Sequence, residues 1–158
     1  MANSNESIAK ALDNFFYHRE RTSNLLVTLS ETDLAHVPTS DHGPFWKHFR
    51  HLGRVQENYI QAMKTGKVQF SPKSAHYNGG ASSQSLLTYL KSLDEKLKQA
   101  VSEFNPEEKI NWFGELVSLD QHIQRLIEHE VLHHGQFVVC LKLLKKDFPE
   151  SWAVWGLA

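Results

Sequence analysis

The sequence predicts an all-α fold, a four-helix bundle. Three observations point there. Four long stretches carry apolar residues at three- and four-residue spacing, the period of one helix face. Proline, glycine and asparagine clusters separate those stretches. Each stretch is roughly 20–27 residues, so at 1.5 Å rise the rods would be about 30–40 Å long, which suits a bundle.

The first helix runs from about Ser4 to Ser30, with Ile8, Ala11, Leu12, Phe15, Phe16, Leu25, Leu26 and Leu29 as its stripe. Pro38 and Thr39-Ser40-Asp41-His42-Gly43 then break the chain. Pro44 suits the first turn of a second helix, where its missing N–H is not needed. That helix reads Phe45 to Lys64, with Gly66 as its stop. Residues 67–81 form a long connection, since Pro72 and Asn78-Gly79-Gly80 exclude a helix. The third helix starts at Ser82 or Ser83 and ends near Phe104, before Asn105-Pro106, burying Leu86, Leu87, Leu90, Leu93, Leu97 and Val101. The fourth begins at Ser118, whose spacing from Gln121 is that of a capping box, and runs to about Lys145, with Pro149 closing it. The apolar tail from Ser151 to Leu157 is expected to fold back on the bundle. Two long connections allow parallel neighbours rather than a simple up-down meander. No repeat, low-complexity tract or second domain interrupts residues 1–158.

The chain has 158 residues, 17 basic and 18 acidic, for a net charge of −1. That length gives one domain with a sizeable core. No basic stripe argues for nucleic-acid binding. The apolar runs are too short for a membrane span, and Met1 to Glu6 lacks a signal-peptide layout. Cys140 is the sole cysteine, so no internal disulfide can form. These features suit a soluble cytoplasmic protein. Ten histidines remain to be explained.

On the fourth helix, at 100° per residue, His122, Leu126, His129, His133, Gln136, Cys140 and Leu144 share a face, flanked by Leu119, Ile123, Phe137 and Leu141. His129 and His133 are one turn apart and point to the core side. An imidazole buried without partners loses about 1–3 kcal/mol for each unsatisfied group. A shared metal ion satisfies several at once. On the second helix His48, His51, Leu52, Val55, Tyr59 and Met63 lie near one face, and either histidine can supply a third ligand. Three histidines with positions left open mark a catalytic rather than a structural metal site. His18, His36, His42, His76 and His122 are expected to be solvated or locally hydrogen-bonded. Cys140 is expected to be a small core residue rather than a nucleophile.

Two other metal motifs overlap these residues. His129-Glu130-Val131-Leu132-His133 matches the H-E-x-x-H of zinc peptidases, with Glu130 as general base. No downstream third ligand follows: Gly135 is one residue early for the longer pattern, and Glu150 lies beyond Pro149. Glu130-Val131-Leu132-His133 also matches the E-x-x-H of di-iron bundles, which need two such motifs and two more glutamates.

His129-x-x-x-His133-x-Gly135-Gln136, His51-Leu52 followed by Gln56-Glu57-Asn58-Tyr59, and the ending through Leu143-Leu144 and Pro149 to Trp155 resemble the DinB/YfiT-like family of metal-binding helical bundles. The resemblance spans nearly the whole chain. It implies up-down-down-up topology with the long crossover between the second and third helices. It implies a divalent metal, zinc or nickel, held by His51, His129 and His133, and a homodimer. It implies a small-molecule substrate. Characterised relatives include transferases of low-molecular-weight thiols (bacillithiol, mycothiol or glutathione) and a mycothiol-using isomerase. His134 stands where many relatives carry arginine, which changes a cation expected at the pocket edge.

The expected activity is transfer of a low-molecular-weight thiol to an electrophile, through a thiolate activated by the metal. Gln136, near the metal, is expected to hydrogen-bond the bound thiol or water, and Glu130 to act as a supporting partner or base. The alternatives are a metal-dependent hydrolase and a non-catalytic metal- or ligand-binding module.

Overall fold

The computed structural model describes residues 4–70 and 76–157. Pro72 and Met1 to Asn3, used above, lie outside them. The elements in chain order are α1 (Ser4–Thr28), α2 (Glu31–Ala35), α3 (Trp46–Thr65), α4 (Ser83–Glu103), β1 (Ile110–Trp112), β2 (Glu115–Val117) and α5 (Leu119–Leu144). A 3-10 segment, Glu150–Trp155, follows. The four long helices are those expected, within two residues at each end.

Local chemistry sets the ends. Gly66 adopts φ +74° and closes α3 through its N–H to the Ala62 carbonyl. The Ser82 hydroxyl accepts from the Ser85 N–H at 3.2 Å and starts α4. The Gln121 side chain accepts from the Ser118 N–H at 2.9 Å, one arm of the expected capping box. Two small elements differ from expectation. The segment after Thr28 does not simply unwind: Ser30 and Asp33 form a reciprocal cap (2.9 and 3.1 Å) that nucleates the one-turn α2. The connection before α5 contains a hairpin, β1 pairing antiparallel with β2 from Ile110↔Val117 to Trp112↔Glu115. Its two-residue loop, Phe113-Gly114, has positive φ at both positions (51° and 100°), the twist that suits a tight hairpin.

The registers of interhelical contacts give the topology. Going up α1, Ser7 meets Asp120, Arg19 meets Glu130 and Thr22 meets His134, so α1 and α5 run parallel. From the Phe45 cap along α3, Phe45 meets Phe137, His51 meets His129 and Tyr59 meets His122, so α3 and α5 run antiparallel. Gly53 abuts Tyr89 and Gln56 bonds Asp94, so α3 and α4 run parallel. Phe16 lies against Lys98 and Arg19 against Asp94, so α1 and α4 run antiparallel. This is up-down-down-up, and the parallel α3–α4 pair requires the long crossover between them.

The core is continuous through the bundle, with Phe15, Phe49, Leu90, Ile123 and Phe137 fully buried. The tail packs back as expected: Trp152 is 0 % exposed, and its indole N–H donates to the Arg21 carbonyl at 3.1 Å. No helix among the described residues is long and apolar enough to cross a membrane.

Candidate metal centre

Antiparallel packing of α3 on α5 brings His51 level with the turn that carries His129 and His133. The ring centroids are 5.1 Å apart for His51–His129, 5.0 Å for His51–His133 and 4.6 Å for His129–His133. One ligand nitrogen from each lies within 4.8 Å of the other two. His51 Nε2 and His129 Nε2 are 3.2 Å apart. Two zinc–nitrogen bonds of about 2.0–2.1 Å at a near-tetrahedral angle would hold their nitrogens roughly 3.3 Å apart. The donor set therefore fits a divalent ion, and this three-histidine group can hold one.

His48, the rival ligand, stands aside. Its ring is 6.1 Å from His133 and stacks at 6.0 Å on His42, so His51 is the α3 histidine that joins the pair on α5. Burial lowers the pKa of His129 to about 4 and of His133 to about 3, with neighbouring imidazoles adding to the fall. Burial also lowers that of His51, with Arg54 contributing. All three are neutral at pH 7, the form that binds metal. The Nδ1 atoms of His129 and His133 are buried with no hydrogen-bond partner.

Beside the triad opens a pocket of about 260 Å³, lined by His42, Lys47, His48, His51, His133 and Gln136. Gln136 is part of that lining. Its side chain faces the His48 imidazole and hydrogen-bonds with it. Burial lowers the His48 pKa, more than the nearby Gln136 raises it.

Glu130 faces the other way. It is 1 % exposed, and Arg19 donates to both its oxygens (Nε to Oε1 3.0 Å, Nη2 to Oε2 3.1 Å). The Thr22 hydroxyl donates to Oε1 at 2.6 Å. Thr22 has one proton and spends it there, so the His134 Nε2, 2.7 Å from the same hydroxyl, is the donor in that contact. Arg19 also reaches Asp94 at 3.2 Å, and Gln56 donates to Asp94 at 3.0 Å. Burial alone would lower the Arg19 pKa and raise that of Glu130, but Glu130 and Asp94 together raise the first, and Arg19, His134 and Thr22 together lower the second. Sequence reasoning missed this network. Its signal was Arg19, a cation between Phe15, Thr22 and Leu26 on the apolar stripe.

His134 is 4 % exposed and packs on Trp152 and Trp155, so it lies in the α1–α5 interior and not at the pocket edge. The remaining histidines mostly behave as expected. The His122 Nε2–H donates to the Tyr59 carbonyl at 3.0 Å, His76 meets Glu57 at 3.2 Å and His36 is exposed. His42 pairs with Thr39 but also lines the pocket. His18 differs: it stacks on Trp155, and its Nδ1 is buried without a partner. Cys140 is a core thiol whose pKa burial raises.

A sequence profile described as the DinB superfamily matches residues 15–137, a span that holds all three clustered histidines. The chain belongs to the DinB superfamily. Among solved structures, this DinB-superfamily chain is similar to a DinB-like protein, YjoA, from Bacillus subtilis. The identity is 18 %, the TM-score 0.69, and the match covers 90 % of this chain and 97 % of that one. At that identity the likeness speaks for the fold. No curated protein matches the chain.

Proposed function

We propose that the chain is a divalent-metal-dependent transferase that joins a low-molecular-weight thiol to an electrophilic small molecule. The observation that supports this is the meeting of three neutral imidazoles beside an open pocket, with no fourth protein ligand in their group among the described residues. His51, His129 and His133 would hold the ion, zinc or nickel. A divalent ion bound there supplies one thing the side chains lack, a lowered thiol pKa that makes thiolate available near neutral pH.

The chain's own groups supply the rest. Gln136 Oε1 accepts a hydrogen bond from the incoming ligand and orients its sulfur. His48, kept neutral by burial, takes the thiol proton. The sulfur pair forms a bond to the electrophilic carbon as the bond to the leaving group breaks, and the leaving group departs with that electron pair. Glu130, held by Arg19 and Thr22, fixes α5 against α1 and so positions His129 and His133; it is too fully engaged to serve as a base.

Elemental analysis of protein purified without a histidine tag, paired with thiol transfer to monochlorobimane, tests the reading. Stoichiometric metal and turnover are expected in the wild type, and both should be lost in H129A and H133A. Absence of turnover with every cellular thiol tried, in metal-replete protein, would overturn it.

A further inference from the structure

A second cavity, of about 340 Å³, opens between α3 and α4 and shares no lining residue with the one at the three histidines. Ile60 from α3, with Leu93 and Ala100 from α4, gives it a buried apolar floor. The two helices run parallel, and Gln56 meets Asp94. Glu57 and Lys96 follow those residues by one and two positions. They therefore enter the cleft at about the same level, from opposite walls.

These opposite charges do not close on each other. Glu57 is held in place: its side chain is 12 % exposed, His76 Nδ1 lies 3.2 Å from its Oε1, and the Tyr89 hydroxyl donates to it. A carboxylate offers about four acceptor positions, so acceptor capacity is left over. Lys96 takes part in none of the ion pairs among the described residues. A lone anion on Lys96 would meet the Glu57 carboxylate, and a lone cation on Glu57 would meet Lys96. An ammonium and a carboxylate carried on one carbon suit both. The whole lining agrees, because Lys64 and Lys96 cancel Glu57 and Glu103 and leave no net charge to draw a simple ion. The volume lies at the lower end of the roughly 300–1,000 Å³ of ligand pockets, which suits a small molecule.

We propose that the α3–α4 cleft binds a free amino acid with an apolar side chain. The ligand's ammonium donates to Glu57, its carboxylate accepts from Lys96, and its side chain rests on Ile60, Leu93 and Ala100. Tyr89 and His76 position Glu57 for this and do not touch the ligand's carboxylate. The inference depends neither on the metal centre nor on thiol transfer.

The test titrates the isotope-labelled full chain with L-leucine and follows its backbone amide resonances. Saturable shifts should cluster at residues 57–64 and 93–103 and spare residues 129–136. N-acetyl-leucine lacks the ammonium, leucinamide lacks the carboxylate and glycine lacks the side chain. Each should bind about tenfold more weakly, or worse. Glu57→Gln and Lys96→Gln should each weaken leucine by about the same factor, whereas Lys96→Arg should keep most of the affinity. Circular dichroism checks each variant, and the exposed Lys96 keeps the test available if Glu57→Gln disturbs the fold. No saturable shift at the cleft, equal binding of leucine and N-acetyl-leucine, or affinity untouched by Lys96→Gln overturns the proposal. Shifts confined to residues 129–136 would mean chelation at the three histidines and would overturn it as well.

Discussion

At His129 and His133, solvent exclusion keeps two imidazoles neutral and leaves their Nδ1 atoms without partners. Burying such groups destabilises a fold unless something uses them. Replacing His51, His129 or His133 by Ala should therefore remove stoichiometric metal and leave the helices intact, because helix stability here comes from the apolar stripe. Metal analysis and far-ultraviolet circular dichroism on the same samples check both halves; loss of helicity would make the ion structural. His48 gives a separate outcome. His48→Gln should keep the metal, lower the transfer rate and flatten its acid limb, whereas a ligand role would empty the site.

On the scale of elements, α5 is a helix with two polar faces inside one apolar rod. His129 and His133 turn to α3; Glu130 and His134, one residue further round, turn to α1. The second face is a buried ion network, and breaking such a pair by removing one partner costs about 3–5 kcal/mol. Arg19→Ala should lower stability by that order in urea unfolding, since it strands the 1 %-exposed Glu130. Arg19→Met with Glu130→Leu, which removes both charges, should recover much of the loss. The α3–α4 contact depends on Gly53, where a Cβ would sit 2.1 Å from the Tyr89 ring. Gly53→Ala should destabilise by about 1–3 kcal/mol, as overpacking does, and a crystal structure should show Tyr89 displaced. Element ends were legible because caps are local: Ser82, Gly66 and the Ser118–Gln121 pair sit where their residue types say. The hairpin and α2 were not. Three-residue strands and a one-turn helix carry too few residues for a period, although Phe113-Gly114 between Trp112 and Glu115 held the turn signal.

For the whole molecule, buried neutral histidines make stability depend on pH. His122 is fully buried, and burial lowers its pKa to about 4; His134 behaves alike. The unfolded chain titrates near 6.5. Both pKa values are depressed by folding, so their full stability is present above pH 6.5 and is lost as pH falls toward 4, where the unfolded state binds protons first. Between pH 7 and pH 5 each such group should remove on the order of 1–2 kcal/mol. Urea midpoints of metal-free protein should fall over that interval, and fall less in His122→Gln; an unchanged slope would show that His122 does not titrate on unfolding. Sequence alone determined the four rods, their ends and the one face of α5 that carries His129 and His133, because periodicity and capping act within a few residues. Tertiary structure decided that α3 offers His51 and not His48, and that Glu130 belongs to Arg19. It also set His134 in the interior. Those outcomes depend on how each helix is rotated against its neighbours. That rotation is fixed by packing among residues far apart in the chain, which no local pattern records.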